Sequence, residues 1–109
     1  MVRPTRFYSN QQEKFVAKVV QGKQVSNSGA TAFHKGDVVT DSWLLECKTC
    51  TTEKKSFSIK KDWLTKNAEE AFAMGKEFNA LVFDFGDGDR FYVVDERTFC
   101  KLKEFIPED

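Results

Sequence analysis

The stretch ALVFDFGDGDRFYVVD, residues 80–95, constrains the fold more than any other part of the chain. Two runs dense in Val, Phe and Tyr flank a Gly-Asp-Gly turn, which predicts a β-hairpin. The turn also explains Asp84, Asp87 and Asp89, because their spacing lacks the ligand run and distal glutamate of a calcium-binding EF-hand loop.

Around this hairpin the chain alternates helical and extended patterns. SNQQEKFVAKVVQGK predicts a first helix with Ser9 or Asn10 as cap, a stripe of Phe15, Val16, Val19 and Val20, and a stop at Gly22. QVSNSGATAFHKG reads as a loop with room for a short strand from Ala30 to Phe33. Asp37 to Val39 and Ser42 to Lys48 read as strands joined by a tight turn at Thr40-Asp41. A polar connection leads to a second helix from about Lys60 to Met74, with Trp63, Leu64, Ala68, Ala71 and Phe72 at helical spacing and Gly75 as its stop. ERTFCKLKEFI predicts a short last helix capped by Asp95, with Phe99, Leu102 and Phe105 or Ile106 on one side. The expected order is α, β, β, α, β, β, α. This is an α/β (α+β) fold with a mixed sheet flanked by helices, in one domain over residues 1–109, without repeats or low-complexity segments.

A chain of 109 residues suits a single core, supplied largely by 11 Phe and 2 Trp. Its net charge of zero hides an uneven distribution: residues 1–66 carry 12 Lys and Arg against 6 Asp and Glu, and residues 67–109 carry 5 against 11. The basic part suits a polyanion such as nucleic acid, if the two parts face different directions. No apolar run reaches the length of a bilayer and MVRPTRFYSNQQ lacks the apolar core of a signal peptide, so a cytoplasmic protein with no membrane partner is expected. Three cysteines, an odd number, fit a reducing compartment. Cys47 and Cys50 have C-x-x-C spacing, but only Cys100 and His34 remain to complete a zinc site, which makes that reading the weaker one. No organic cofactor is expected.

The stretch GDVVTDSWLLECKT sets two acids and a lysine within apolar strands. With the turn at Thr40-Asp41, Asp37 lies across from Leu44, and Glu46 is two residues further along on the same face, a diagonal of about 7–8 Å. Period-two alternation puts Lys48 on that face too, while Trp43, Leu45 and Cys47 take the opposite one. Two carboxylates suit a hard cation such as Mg2+ or Mn2+, and a nearby lysine suits phosphodiester hydrolysis. Asp41 is the competing first ligand, but a turn aspartate needs no further explanation.

At Asp37, Glu46 and Lys48 the sequence resembles the PD-(D/E)xK nuclease superfamily, with an acid on one strand and Glu-x-Lys on the next, and with Gly36 where many members carry proline. Over roughly residues 9 to 95 it is similar to the small archaeal-type Holliday junction resolvases. The resemblance implies a restriction-endonuclease-like core and a Mg2+-dependent endonuclease acting on DNA, most of all on branched DNA. It also implies assistance to the metal from Glu13, a further metal contact from the Cys47 backbone carbonyl, and a loop serine near the site, Ser28 or Ser26. VRR-type replication and repair nucleases share these residues and are the alternative, together with a non-catalytic nucleic-acid-binding module of the same fold.

Simpler roles stand beside each of these. Glu13 follows Asn10 by three residues and can close a capping box. Lys48 can protect an edge strand or form an ordinary ion pair with Glu46. Lys35, Lys54, Lys55, Lys60 and Lys61 are candidates to hold the DNA backbone, with Lys66 and, nearer the start, Arg3, Arg6, Lys14 and Lys18 extending the same track, although charge runs are often only solvated faces. His34 is a loop residue first and a phosphate contact or general base second. Symmetric cutting of a four-way junction would need a homodimer, for which Phe83, Phe85, Phe91 and Tyr92 are candidate contacts.

Overall fold

The computed structural model describes residues 5–25, 37–50 and 52–108, with the backbone alone for 5–10. Helix α1 spans Thr5–Val20, and strands β1 (Lys23–Gln24), β2 (Asp37–Val39) and β3 (Trp43–Lys48) follow. Helix α2 (Lys61–Ala73) precedes β4 (Phe78–Asp84), β5 (Arg90–Val93) and helix α3 (Glu96–Glu104). The strands form one five-stranded mixed sheet in the order β1-β2-β3-β4-β5, antiparallel throughout except for the parallel pair β3 and β4. That parallel pair is joined by α2, because parallel neighbours need a long crossover. Among the described residues no helix is long and apolar enough to cross a membrane.

Alternation along the strands divides the sheet into two faces. Val38, Leu45, Cys47, Ala80 and Val82 pack around Val16 of α1, with Ala17, Val20, Trp43 and Val94 at the margin. Leu44, Leu81 and Phe83 are buried on the other face, under α2.

Helix α1 begins well before the expected cap, so Ser9 and Asn10 lie inside it and the capping-box role for Glu13 falls away. Among its described side chains Gln12, Glu13 and Val16 are buried, while Phe15 and Val19 of the expected stripe are exposed. The helix ends with Gln21 at φ 58°, and the Gly22 amide donates to the Ala17 carbonyl at 2.8 Å, a Schellman pattern. Gly22 is required for a different reason: a Cβ there would sit 2.5 Å from the Val39 carbonyl oxygen, where β1 turns back onto β2. The strand β1 escapes the expected element order, and the proposed strand from Ala30 to Phe33 lies outside the described residues.

The turn between β2 and β3 is centred one residue later than expected. The Thr40 hydroxyl accepts from the amides of Ser42 (3.3 Å) and Trp43 (3.0 Å), and the Thr40 amide donates to the Trp43 carbonyl at 3.1 Å. Asp37 therefore pairs with Glu46, not Leu44. Because the register moves by two, every side chain keeps its expected face.

Helix α2 turns a different side inward from the one its apolar pattern suggests. Asn67 and Ala71 are buried and Trp63 half-buried, whereas Leu64 is exposed and Phe72 is 85% exposed. The Asn79 side-chain amide donates to Asn67 Oδ1 at 2.8 Å, which makes a polar residue admissible under the helix. Asp95 caps α3 as expected, accepting from the Thr98 amide at 2.8 Å. Leu102 is half-buried, but Phe99, Phe105 and Ile106 are exposed, and Thr98 is the buried residue of that helix.

Candidate active site

Asp37 is the first residue of β2 and is fully buried. The Thr40–Trp43 hydrogen bond marks that pair as the bonded kind, and alternation makes Asp37 and Glu46 a non-bonded pair, whose Cα atoms stand about 4.5 Å apart. This brings the two carboxylates closer than the expected diagonal. Two residues further along β3, Lys48 reaches back so that its Nζ lies 3.2 Å from Glu46 Oε2, with side-chain exposures of 29% for the lysine and 13% for the glutamate.

Asp37 feels more acids than its strand partner. Burial, then the charges of Glu46, Glu70 and Glu13, push its pKa up to about 8, against the opposing pull of Lys48. Glu13 acts from α1 and Glu70 from α2, so carboxylates approach this end of β2 from both sides of the sheet. The neighbouring Cys47 thiol is held far up by burial and by Glu13, Asp37 and Glu46, which makes it an inert packing group on the α1 face.

Alternation along β3 turns the Cys47 carbonyl toward the β2 side, past the last described ladder pair. Two opposed carboxylates and such a carbonyl are all hard oxygen donors, which fits a small divalent cation. The same ion would offset the crowded negative charge that keeps Asp37 protonated. Among the described residues no group of three or more His, Cys, Asp or Glu side chains is gathered closely enough to form a complete cage.

Beyond Lys48, the Thr49 hydroxyl donates to Gln12 Oε1 and ties the end of β3 to α1 beside Glu13. Lys48 Nζ also stands 4.3 Å from the centre of the Trp63 ring on α2. Lys54, Lys55, Lys60 and Lys61 are exposed, on the approach to α2 and in its first turn. That approach is fastened to the β4–β5 hairpin by the Lys54 amide, which donates to the Phe85 carbonyl at 2.7 Å. In the hairpin itself, Asp84 and Asp87 accept from the amides of Gly86 and Asp89, at 2.8 and 3.1 Å, and so serve the turn. Lys66 is engaged with Asp62 at 3.1 Å. Ser26, Ser28, His34, Lys35, Gly36 and Arg3 lie outside the described residues, as does the side chain of Arg6.

Glu13, Asp37, Glu46 and Lys48 thus share one electrostatic neighbourhood. Glu70, Gln12 and the ring of Trp63 belong to it as well. The available signal for Glu70 is its place seven residues after Trp63 and three after Asn67, on the inward side of α2. Phe83 is buried in an aromatic group with Phe57, Phe85 and Phe91, which removes it as a contact for a second copy, whereas Phe91 and Tyr92 are exposed.

No protein-family model matches this chain, and searches of curated proteins and of solved structures return no match either.

Proposed function

We propose that the protein is a metal-dependent endodeoxyribonuclease with a restriction-endonuclease-like core, similar in its reaction to the PD-(D/E)xK nucleases. The observation that carries this reading is the direct pairing of Asp37 with Glu46, with Lys48 drawn onto the same face. Asp37 and Glu46 would hold Mg2+ or Mn2+, with the Cys47 carbonyl as a further donor and Glu13 assisting. Such an ion lowers the pKa of bound water and neutralises charge that grows on the phosphate oxygens. The chain's own part is orientation. Glu46 keeps the Lys48 ammonium at the site, where a point charge can align the attacking water and stabilise the developing negative charge.

The substrate we propose is branched DNA, most specifically a four-way junction, cut by a homodimer because symmetric incision needs two sites. The exposed Lys54, Lys55, Lys60 and Lys61, on the approach to α2 and in its first turn, would grip phosphates, each through release of counterions. Ser28 and Lys35, which lie outside the described residues, are proposed to join them. Flap or duplex incision by the same residues is the alternative substrate range.

The test is Mg2+-dependent cutting of a labelled four-way junction beside a linear duplex of the same sequence. Paired nicks in the junction with little duplex cutting support the resolvase assignment. Equal cutting of both reassigns the protein to a broader repair or replication nuclease. Binding of DNA without any cutting would leave a nucleic-acid-binding module in place of an enzyme.

A further inference from the structure

Lys48 is held by two groups of different chemistry. Glu46 Oε2 lies 3.2 Å from its Nζ, and the centre of the Trp63 ring lies 4.3 Å away, well inside the range at which an ammonium is attracted to an aromatic face. Trp63 is braced in turn. Its ring lies 6.2 Å from that of Phe57, which stacks on Phe83 at 4.9 Å, and Phe83 is the register partner of Lys48 on β4. The contacts close a circuit from the lysine through three rings and back to the strand beside it.

We propose that Trp63 is a positioning residue for Lys48, holding the ammonium at the carboxylate pair in a single orientation. This inference rests on the nuclease reading given above. A lysine has four rotatable bonds, and an ion pair that water still reaches is by itself a weak restraint on them. A ring face adds a second, directional attraction and removes water from one side of the ammonium. Lys60 approaches the same ring, at 5.8 Å, and is the weaker competitor for it.

The experiment compares Trp63→Phe, which keeps an aromatic face, with Trp63→Leu, which keeps apolar bulk alone. Junction cleavage is followed at saturating DNA in Mg2+, and the Lys48 ε-methylene proton shifts are recorded by NMR on the metal-free, DNA-free protein. Trp63→Leu is expected to lower kcat by roughly three- to thirtyfold with KM for DNA unchanged, the span that a cation–π contact represents. Trp63→Phe should recover most of that rate. In the wild type the ε-methylene protons should be moved upfield by the ring current, and Trp63→Leu should return them to their ordinary position.

Equal rates for wild type and Trp63→Leu, or an equal loss in both variants, would overturn the proposal. So would ordinary ε-methylene shifts in the wild type, a measurement that needs no variant to fold. If the wild type cuts DNA and the shifts are ordinary, this inference alone fails. If the shifts are upfield and the wild type cuts nothing, the nuclease reading fails and takes the role of Trp63 with it.

Discussion

Asp37 and Glu46 are register partners on adjacent antiparallel strands, and the first of them is fully buried. Like charges directly opposed in a sheet are destabilising, and burial of a carboxylate adds to that cost. The fold tolerates the arrangement because Asp37 keeps its proton, with a pKa pushed up to about 8 by burial and by Glu46, Glu70 and Glu13. Under the proposed reading, such a site would trade stability in the metal-free protein for affinity toward a cation.

The raised pKa has a direct consequence for stability against pH. An unfolded aspartate loses its proton near pH 3.8, whereas folded Asp37 retains it until about pH 8. Between those values the folded state binds the extra proton, so stability should fall as pH rises, by up to about 1.4 kcal/mol per unit from this one group. Asp37→Asn cannot titrate there and should flatten that part of the profile. Thermal or urea melts of both proteins from pH 4 to pH 8 check this.

If Asp37 is the metal ligand proposed above, added Mg2+ should compete with its proton. The rise in melting temperature at a fixed Mg2+ concentration should therefore be larger at pH 8 than at pH 5. Glu46→Gln should abolish most of that difference, as read by thermal shift in matched buffers.

Glu70 contributes to the pressure on Asp37 from α2. Glu70→Gln should lower the Asp37 titration midpoint, measured by carboxyl 13C NMR, and shorten the pH range over which stability declines. An unchanged midpoint would place Glu70 outside the electrostatic reach of the site.

Substitutions on α2 and β3 should separate packing from pattern. Leu44→Ala removes a fully buried side chain and should cost about 2–5 kcal/mol in urea unfolding. Phe72→Ser, at a position 85% exposed, should change stability by no more than about 0.5 kcal/mol.

The contrast between Leu44 and Phe72 marks what a sequence pattern can and cannot express. Strand alternation is local, so the shared face of Asp37, Glu46 and Lys48 was legible from position alone and survived a shift of the turn. The turn itself was misplaced because the Thr40 hydroxyl, not a glycine, organises it. On α2 the inward side carries a tertiary amide pair, Asn67 with Asn79, which no apolar periodicity can show. Glu70 was hidden for the same reason, since a glutamate on a helix reads as solvated until the helix is docked. On α1, Gln12 and Glu13 are buried while Phe15 is exposed, the reverse of their hydropathy.

The most direct test of the central claim is Mn2+ binding to the DNA-free protein, measured by electron paramagnetic resonance at pH 8. The account predicts a site that binds Mn2+ in the wild type, is lost in Asp37→Asn and Glu46→Gln, and is retained in Phe72→Ser. Equal binding by the wild type and both acid variants, or no binding by the wild type at millimolar Mn2+, would contradict it.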